Sequence, residues 1–96
     1  MIKVRISTIL TLKEVLGQRE TEMSVPGGST VEALLAIMIK TWGEKLSSFL
    51  FDPESGQVRS HIRLMVNGQD IGFLNGMETV LQEGDEILIL PPVAGG

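Results

Sequence analysis

The chain contains no cysteine. Disulfides, thiolate metal sites, catalytic thiols and any relay of sulfur through a thiol of this chain are thereby excluded. A long apolar run is also missing: the longest, Ala33 to Ile39, spans seven residues, far short of the roughly 20 needed to cross a bilayer. The N-terminus sets Lys3 and Arg5 into an alternating pattern with Glu14 soon after, which is not a signal-peptide layout. Positive charge is scarce. Eight Lys and Arg against twelve Asp and Glu leave a net charge of −4, which repels nucleic-acid phosphates and anionic membrane and favours a basic protein partner. The single histidine, His61, has no placeable Ser/Asp companions for general-base work, and a metal site needs three or four ligands. His61 is therefore expected at the surface or a strand edge, with no metal and no bound cofactor. These exclusions predict a cytoplasmic domain with neither a nucleic-acid nor a membrane partner.

What remains is ordinary globular material: 96 residues, 43% hydrophobic and 21% charged, sufficient for one domain and too little for two. Ile2, Val4 and Ile6 alternate with Lys3, Arg5 and Ser7, the period of a half-buried strand. Leu12, Val15 and Leu16 fall at helical spacing, and Gly17 can take the left-handed conformation that ends such a turn. Thr21, Met23 and Val25 alternate again, predicting a second strand antiparallel to the first. Pro26-Gly27-Gly28 breaks it, and Ser29 or Thr30 can cap the helix that follows. Ser29 stands three residues before Glu32, the spacing of a capping box. Val31, Leu34, Leu35, Met38 and Trp42 then line one helical face. Gly43 closes the helix, and Leu46, Phe49 and Leu50 suggest a second short one before a solvent loop over Asp52 to Gly56.

Ile62, Leu64 and Val66 give a third strand, and Asn67-Gly68 is a strong hairpin signal because both residues tolerate positive φ. A short strand around Gln69 to Ile71 should return from it. Gly72 to Glu83 has no clear period. After a turn at Gly84-Asp85, Ile87 to Leu90 is apolar at every position, which predicts a central strand covered on both faces or nearly so. Strand, strand, helix, strand, short strand, strand, with the first and last as neighbours, is the α+β layout of a β-grasp (ubiquitin-like) fold: a mixed sheet covered by one main helix. Residues 1–90 form this domain and residues 91–96 a flexible C-terminal tail.

The tail reads Pro91-Pro92-Val93-Ala94-Gly95-Gly96. Two prolines stop the strand and stiffen its exit. Beyond them lie only small residues, slim enough to thread a narrow channel with a carboxylate at the tip. A frayed terminus is the alternative reading; the rigid base followed by a bare tip tilts the balance toward function. Elsewhere the signals are bland. Pro26 to Thr30 lacks the lysine of a phosphate-binding loop and reads as turn and cap. Gly68, Gly72 and Gly76 read as turns, while Met23, Met38, Met65 and Met77 read as core filler. Glu83, Asp85 and Glu86 form an acidic cluster expected beside the base of the tail, either as a solvated turn or as a docking point for a basic partner.

Gly84-Asp85-Glu86, the strand Ile87 to Leu90 and the tail Pro91 to Gly96, with Met1-Ile2-Lys3-Val4, Gly28-Ser29-Thr30-Val31 and Val66-Asn67-Gly68 in support, resemble the ubiquitin-like sulfur carriers. That family includes the molybdopterin synthase small subunit (MoaD), the thiamine-pathway carrier (ThiS) and the cysteine-biosynthesis carrier (CysO). The resemblance implies that a ubiquitin-activating-like adenylyltransferase (MoeB/ThiF-like) uses ATP to adenylate the Gly96 carboxylate, and that sulfur then replaces AMP to leave a thiocarboxylate. It assigns Gly96 the reactive role, makes Val93, Ala94 and Gly95 the threading segment, and gives Leu90, Pro91 and Pro92 to partner contact. The chain would then be a consumed and regenerated sulfur donor rather than a catalyst, or the small subunit of an enzyme. Its first expected role is delivery to the cyclic pterin precursor with a molybdopterin synthase large subunit. The alternatives are sulfur carriage for cysteine or other metabolites with a PLP-dependent (pyridoxal-phosphate) sulfhydrylase, or ubiquitin-like protein modification. Leu90 stands where molybdopterin-synthase subunits often have an aromatic residue. Phe73-Leu74-Asn75-Gly76 and Ile6 to Leu10 look similar to the longer, cysteine-pathway members.

Overall fold

Alternation builds the sheet. The computed structural model describes residues 1–8, 14, 16–59 and 61–90. Strand β1 (Ile2–Thr8) buries Val4, Ile6 and Thr8 and turns Lys3 and Arg5 to solvent. Strand β2 (Glu20–Val25) runs antiparallel to it, with Val4 opposite Met23 and Ile2 opposite Val25. The turn before β2 carries Gly17 at φ 83° and buries Leu16; Leu12 and Val15 lie outside the described residues.

Helix α1 (Val31–Trp42) follows. The predicted stripe is its core side, with Val31, Leu34, Leu35 and Met38 all at 0% exposure and Trp42 half-buried against the same core. Its N-cap is Thr30, whose hydroxyl accepts a hydrogen bond from Ala33 N–H at 3.2 Å. The expected Ser29–Glu32 capping box does not form. Ser29 is nearly buried and its hydroxyl donates backward to the Pro26 carbonyl at 2.6 Å, leaving Glu32 exposed. Gly43, at φ 78°, ends α1 and returns its N–H to the Ile39 carbonyl. Helix α2 (Glu44–Leu50) then adds Leu46 and Leu50 to the core.

Strand β3 (Arg63–Val66) and the two-residue β4 (Gln69–Asp70) make a hairpin around Asn67 (φ 51°) and Gly68 (φ 85°), the positive dihedrals that a type I′ turn demands. The aperiodic stretch contains two 3₁₀ turns, Ile71–Phe73 and Gly76–Glu78, and a bridge from Val80 to Thr30. Strand β5 (Glu86–Leu90) completes the sheet in the order β2-β1-β5-β3-β4, parallel to β1 and antiparallel to β3. This is the β-grasp topology, and the first and last strands are neighbours as the sequence predicts.

One expectation about β5 needs correction. Ile87 and Ile89 are at 0% exposure, but Leu88 and Leu90 are only half-buried. Both helices supply residues to the core shared by Ile87 and Ile89, and that core occupies one face of the sheet. The other face is open among the described residues, so the strand is central without being covered twice.

Candidate functional site

The candidate site begins where β5 ends. Its register fixes the neighbours: Ile89 lies between Thr8 and Leu64, Leu88 between Ser7 and Met65, and Leu90 opposite Arg63. Thr8 is fully buried there. Its N–H bonds the Arg19 carbonyl at 2.8 Å, and its hydroxyl lies 3.3 Å from the Gln18 carbonyl. Ile89, next to last in the strand, is thus held between two strands, one of them tied down by Thr8.

On the open face, Leu88, Leu90 and Met65 form a short half-buried apolar strip. Charge surrounds it. Arg5 sits between Glu22 and Glu86 across three strands, its guanidinium 3.6 Å from Glu86. Arg63 Nε approaches Asp70 Oδ2 at 3.5 Å. The strip and its charged border are a surface suited to a protein partner; they lack the convergent acid, base and nucleophile of a catalytic site. A cleft of about 610 Å³ lies instead on the helical side, lined by Ala36, Ile39, Phe51, Val58 and Met77, across the sheet from the strip.

Of the residues assigned from sequence, Leu90 is placed at the end of β5 beside Arg63. Pro91, Pro92, Val93, Ala94, Gly95 and Gly96 lie outside the described residues. The acidic cluster is not at the base of the tail. Glu83, Asp85 and Glu86 stand at the start of β5, and four residues at about 3.3 Å each put Leu90 roughly 13 Å further on. They also have structural work: Glu83 Oε1 accepts Lys3 N–H at 3.0 Å, and Asp85 accepts from Asn67 Nδ2 and Gln82 N–H, each at 2.8 Å. Met65 is corrected too. It faces Leu88 on the open side rather than filling the core, whereas Met38 is buried and Met23 and Met77 pack against the core. His61 is exposed, and no metal-binding cluster occurs among the described residues. Arg63 and Asp70 were not legible as site residues, because only the strand register brings them to the end of β5.

A β-grasp sheet whose central strand runs on into a Pro-Pro-Val-Ala-Gly-Gly segment, beside an open apolar strip, defines the class of ubiquitin-like sulfur carriers and modifiers. This chain belongs to the ThiS family, whose model matches residues 10–96. It is 32% identical over 95 residues to small archaeal modifier protein 3 of Haloferax volcanii, covering 99% of this chain and 100% of that one. It is 33% identical over 96 residues to the sulfur carrier protein CysO of Mycobacterium tuberculosis, covering 99% and 98%. The solution structure of small archaeal modifier protein 1 from Methanosarcina acetivorans superposes with a TM-score of 0.85 at 31% identity, covering 100% and 98%. These likenesses fix the family without separating its pterin, cysteine and modifier branches. No helix among the described residues is long and apolar enough to cross a membrane.

Proposed function

We propose that the chain carries sulfur as a thiocarboxylate on Gly96. The observation that supports this best is the placement of β5: the strand that leads into the tail is pinned at the centre of the sheet, and the apolar strip of Leu88, Leu90 and Met65 lies beside its end. A partner that takes the Gly96 carboxylate into its active site can cover this strip at the same time.

A bare carboxylate is a poor electrophile. In the proposed reaction a Gly96 carboxylate oxygen attacks the α-phosphorus of ATP, pyrophosphate leaves, and an acyl adenylate forms on the activating adenylyltransferase. A sulfur nucleophile then displaces AMP. The chain's own contribution is to present the tip, with Leu90, Pro91 and Pro92 as partner contacts and Val93, Ala94 and Gly95 as the segment that enters the channel. The acceptor enzyme is either a pterin-binding large subunit or a pyridoxal-phosphate sulfhydrylase. Similarity to CysO supports the latter, and co-purification with the carrier distinguishes the two.

Intact mass after incubation with ATP, an activating enzyme and a sulfur donor tests the reading. The expected result is a shift equal to one oxygen replaced by sulfur, absent when Gly96 is deleted. An unshifted mass with an activating enzyme of proven competence would overturn it. Similarity to small archaeal modifier protein 3 favours a second reading, in which the activated Gly96 is joined to lysines of other proteins. Its signature is a ladder of higher-mass conjugates that disappears with the same deletion.

A further inference from the structure

Four large hydrophobic side chains are exposed among the described residues: Met1, Phe73, Leu74 and Val80. Three of them fall within residues 73–80, the stretch whose sequence has no clear period. Phe73 is 85% exposed, and the turn that carries it is held in place. Asp70 Oδ1 accepts Gly72 N–H at 2.8 Å, and Leu74 N–H reaches the Ile71 carbonyl at 2.9 Å. The second oxygen of Asp70 faces Arg63. A Cβ on residue 72 would lie 3.2 Å from Asp70 Oδ1, so glycine lets the carboxylate close on the turn. Ile71 packs against the core. At three residues per 3₁₀ turn, Phe73 is rotated away from it.

The same contacts lead back to the end of β5. Arg63 is the register partner of Leu90, Arg63 meets Asp70, and Asp70 fixes the turn of Phe73. Neighbouring strands are about 4.8 Å apart, which puts Asp70 on β4 roughly 10 Å from β5. A protein interface of ordinary size, about 800 Å² per partner, extends over that distance.

We propose that Phe73 is a specificity-determining anchor that enters an apolar pocket of the enzyme that adenylates Gly96, with Asp70 as the positioning residue that holds its turn. The inference rests on the sulfur-carrier reading above. Beyond Pro92 the tail offers only Val93, Ala94, Gly95 and Gly96, too little to mark one carrier from another. Discrimination therefore falls to the folded body, and adenylation is the first step that commits the carboxylate. Exposed aromatic side chains on a firm backbone are the usual anchors of protein interfaces.

The test is the steady-state rate of pyrophosphate release by the activating enzyme of the same organism, with the full chain as the varied substrate. Phe73→Ser is expected to raise KM about tenfold or more at nearly unchanged kcat, while Phe73→Leu recovers most of the loss. Asp70→Ala should raise KM less, and Asp70→Asn less again, because the amide oxygen still accepts from Gly72. Circular-dichroism melts of the two Phe73 variants should match the parent, since that side chain is almost wholly exposed. An unchanged KM for Phe73→Ser, or a fall in kcat alone, overturns the anchor while leaving the carrier reading in place. No pyrophosphate release from the parent chain overturns both.

Discussion

At the scale of single residues, two caps show what decides between chemically equivalent side chains. Ser29 and Thr30 both carry a hydroxyl that can cap α1. Ser29 is drawn inward, its carbonyl accepting Leu81 N–H and its hydroxyl bonding Pro26, so the cap falls to Thr30. Thr30→Ala is expected to lower unfolding free energy by about 1 kcal/mol, measured by urea denaturation, whereas Glu32→Ala should leave the midpoint almost unchanged because no capping box exists. The sequence alone allows either hydroxyl; only the tertiary contact of Leu81 chooses. Asn67-Gly68 was legible for the opposite reason. Positive φ is a property of those two residues themselves, and the side chain of Asn67 adds bonds to Asp85 and to Glu86 N–H.

At the scale of the element, β5 presents two faces with different duties. Ile87 and Ile89 are sealed in the core, while Leu88 and Leu90 lie half-open. Ile89→Ala should cost about 2–5 kcal/mol of stability with the cooperative transition shifted as a whole. Leu88→Ser should cost clearly less in the melt and show its main effect as weaker binding to the activating enzyme, read by the same KM measurement. Four consecutive apolar residues look alike in sequence whether the second layer is part of the chain or belongs to a visiting protein. That is why the central position of the strand was readable and its open face was not. Met65 suffered from the same ambiguity, and Arg63 and Asp70 join the site only through a register that pairs residues far apart in the chain.

At the scale of the molecule, one hydrophobic core among the described residues joins β1, β2, α1, α2, β3 and β5. Unfolding is expected to be two-state: the fluorescence of Trp42, the single tryptophan, and the far-ultraviolet circular dichroism should give superimposable urea curves. Separate midpoints would mean that the hairpin of β3 and β4 melts apart from the rest. That β1 and β5 are neighbours was legible because both are marked by their apolar pattern. The acidic cluster sits away from Leu90 because closeness in sequence is not closeness in space. A strand carries its two ends apart, and Glu86 and Leu90 belong to opposite rims of the sheet.

The central place of β5 also bears on how the protein is made. Its partner β1 leaves the ribosome well before β5, and their pairing joins residues far apart in the chain, as in Arg5 opposite Glu86. A nascent chain can form the β1–β2 hairpin and α1 early, but the sheet has a gap at its middle until β5 emerges. A product truncated before Ile87 lacks the middle strand and, on the carrier reading proposed above, the terminus to be activated. Such a chain is left exposed to proteolysis, so on that reading the chains that survive are those that carry a tail to activate.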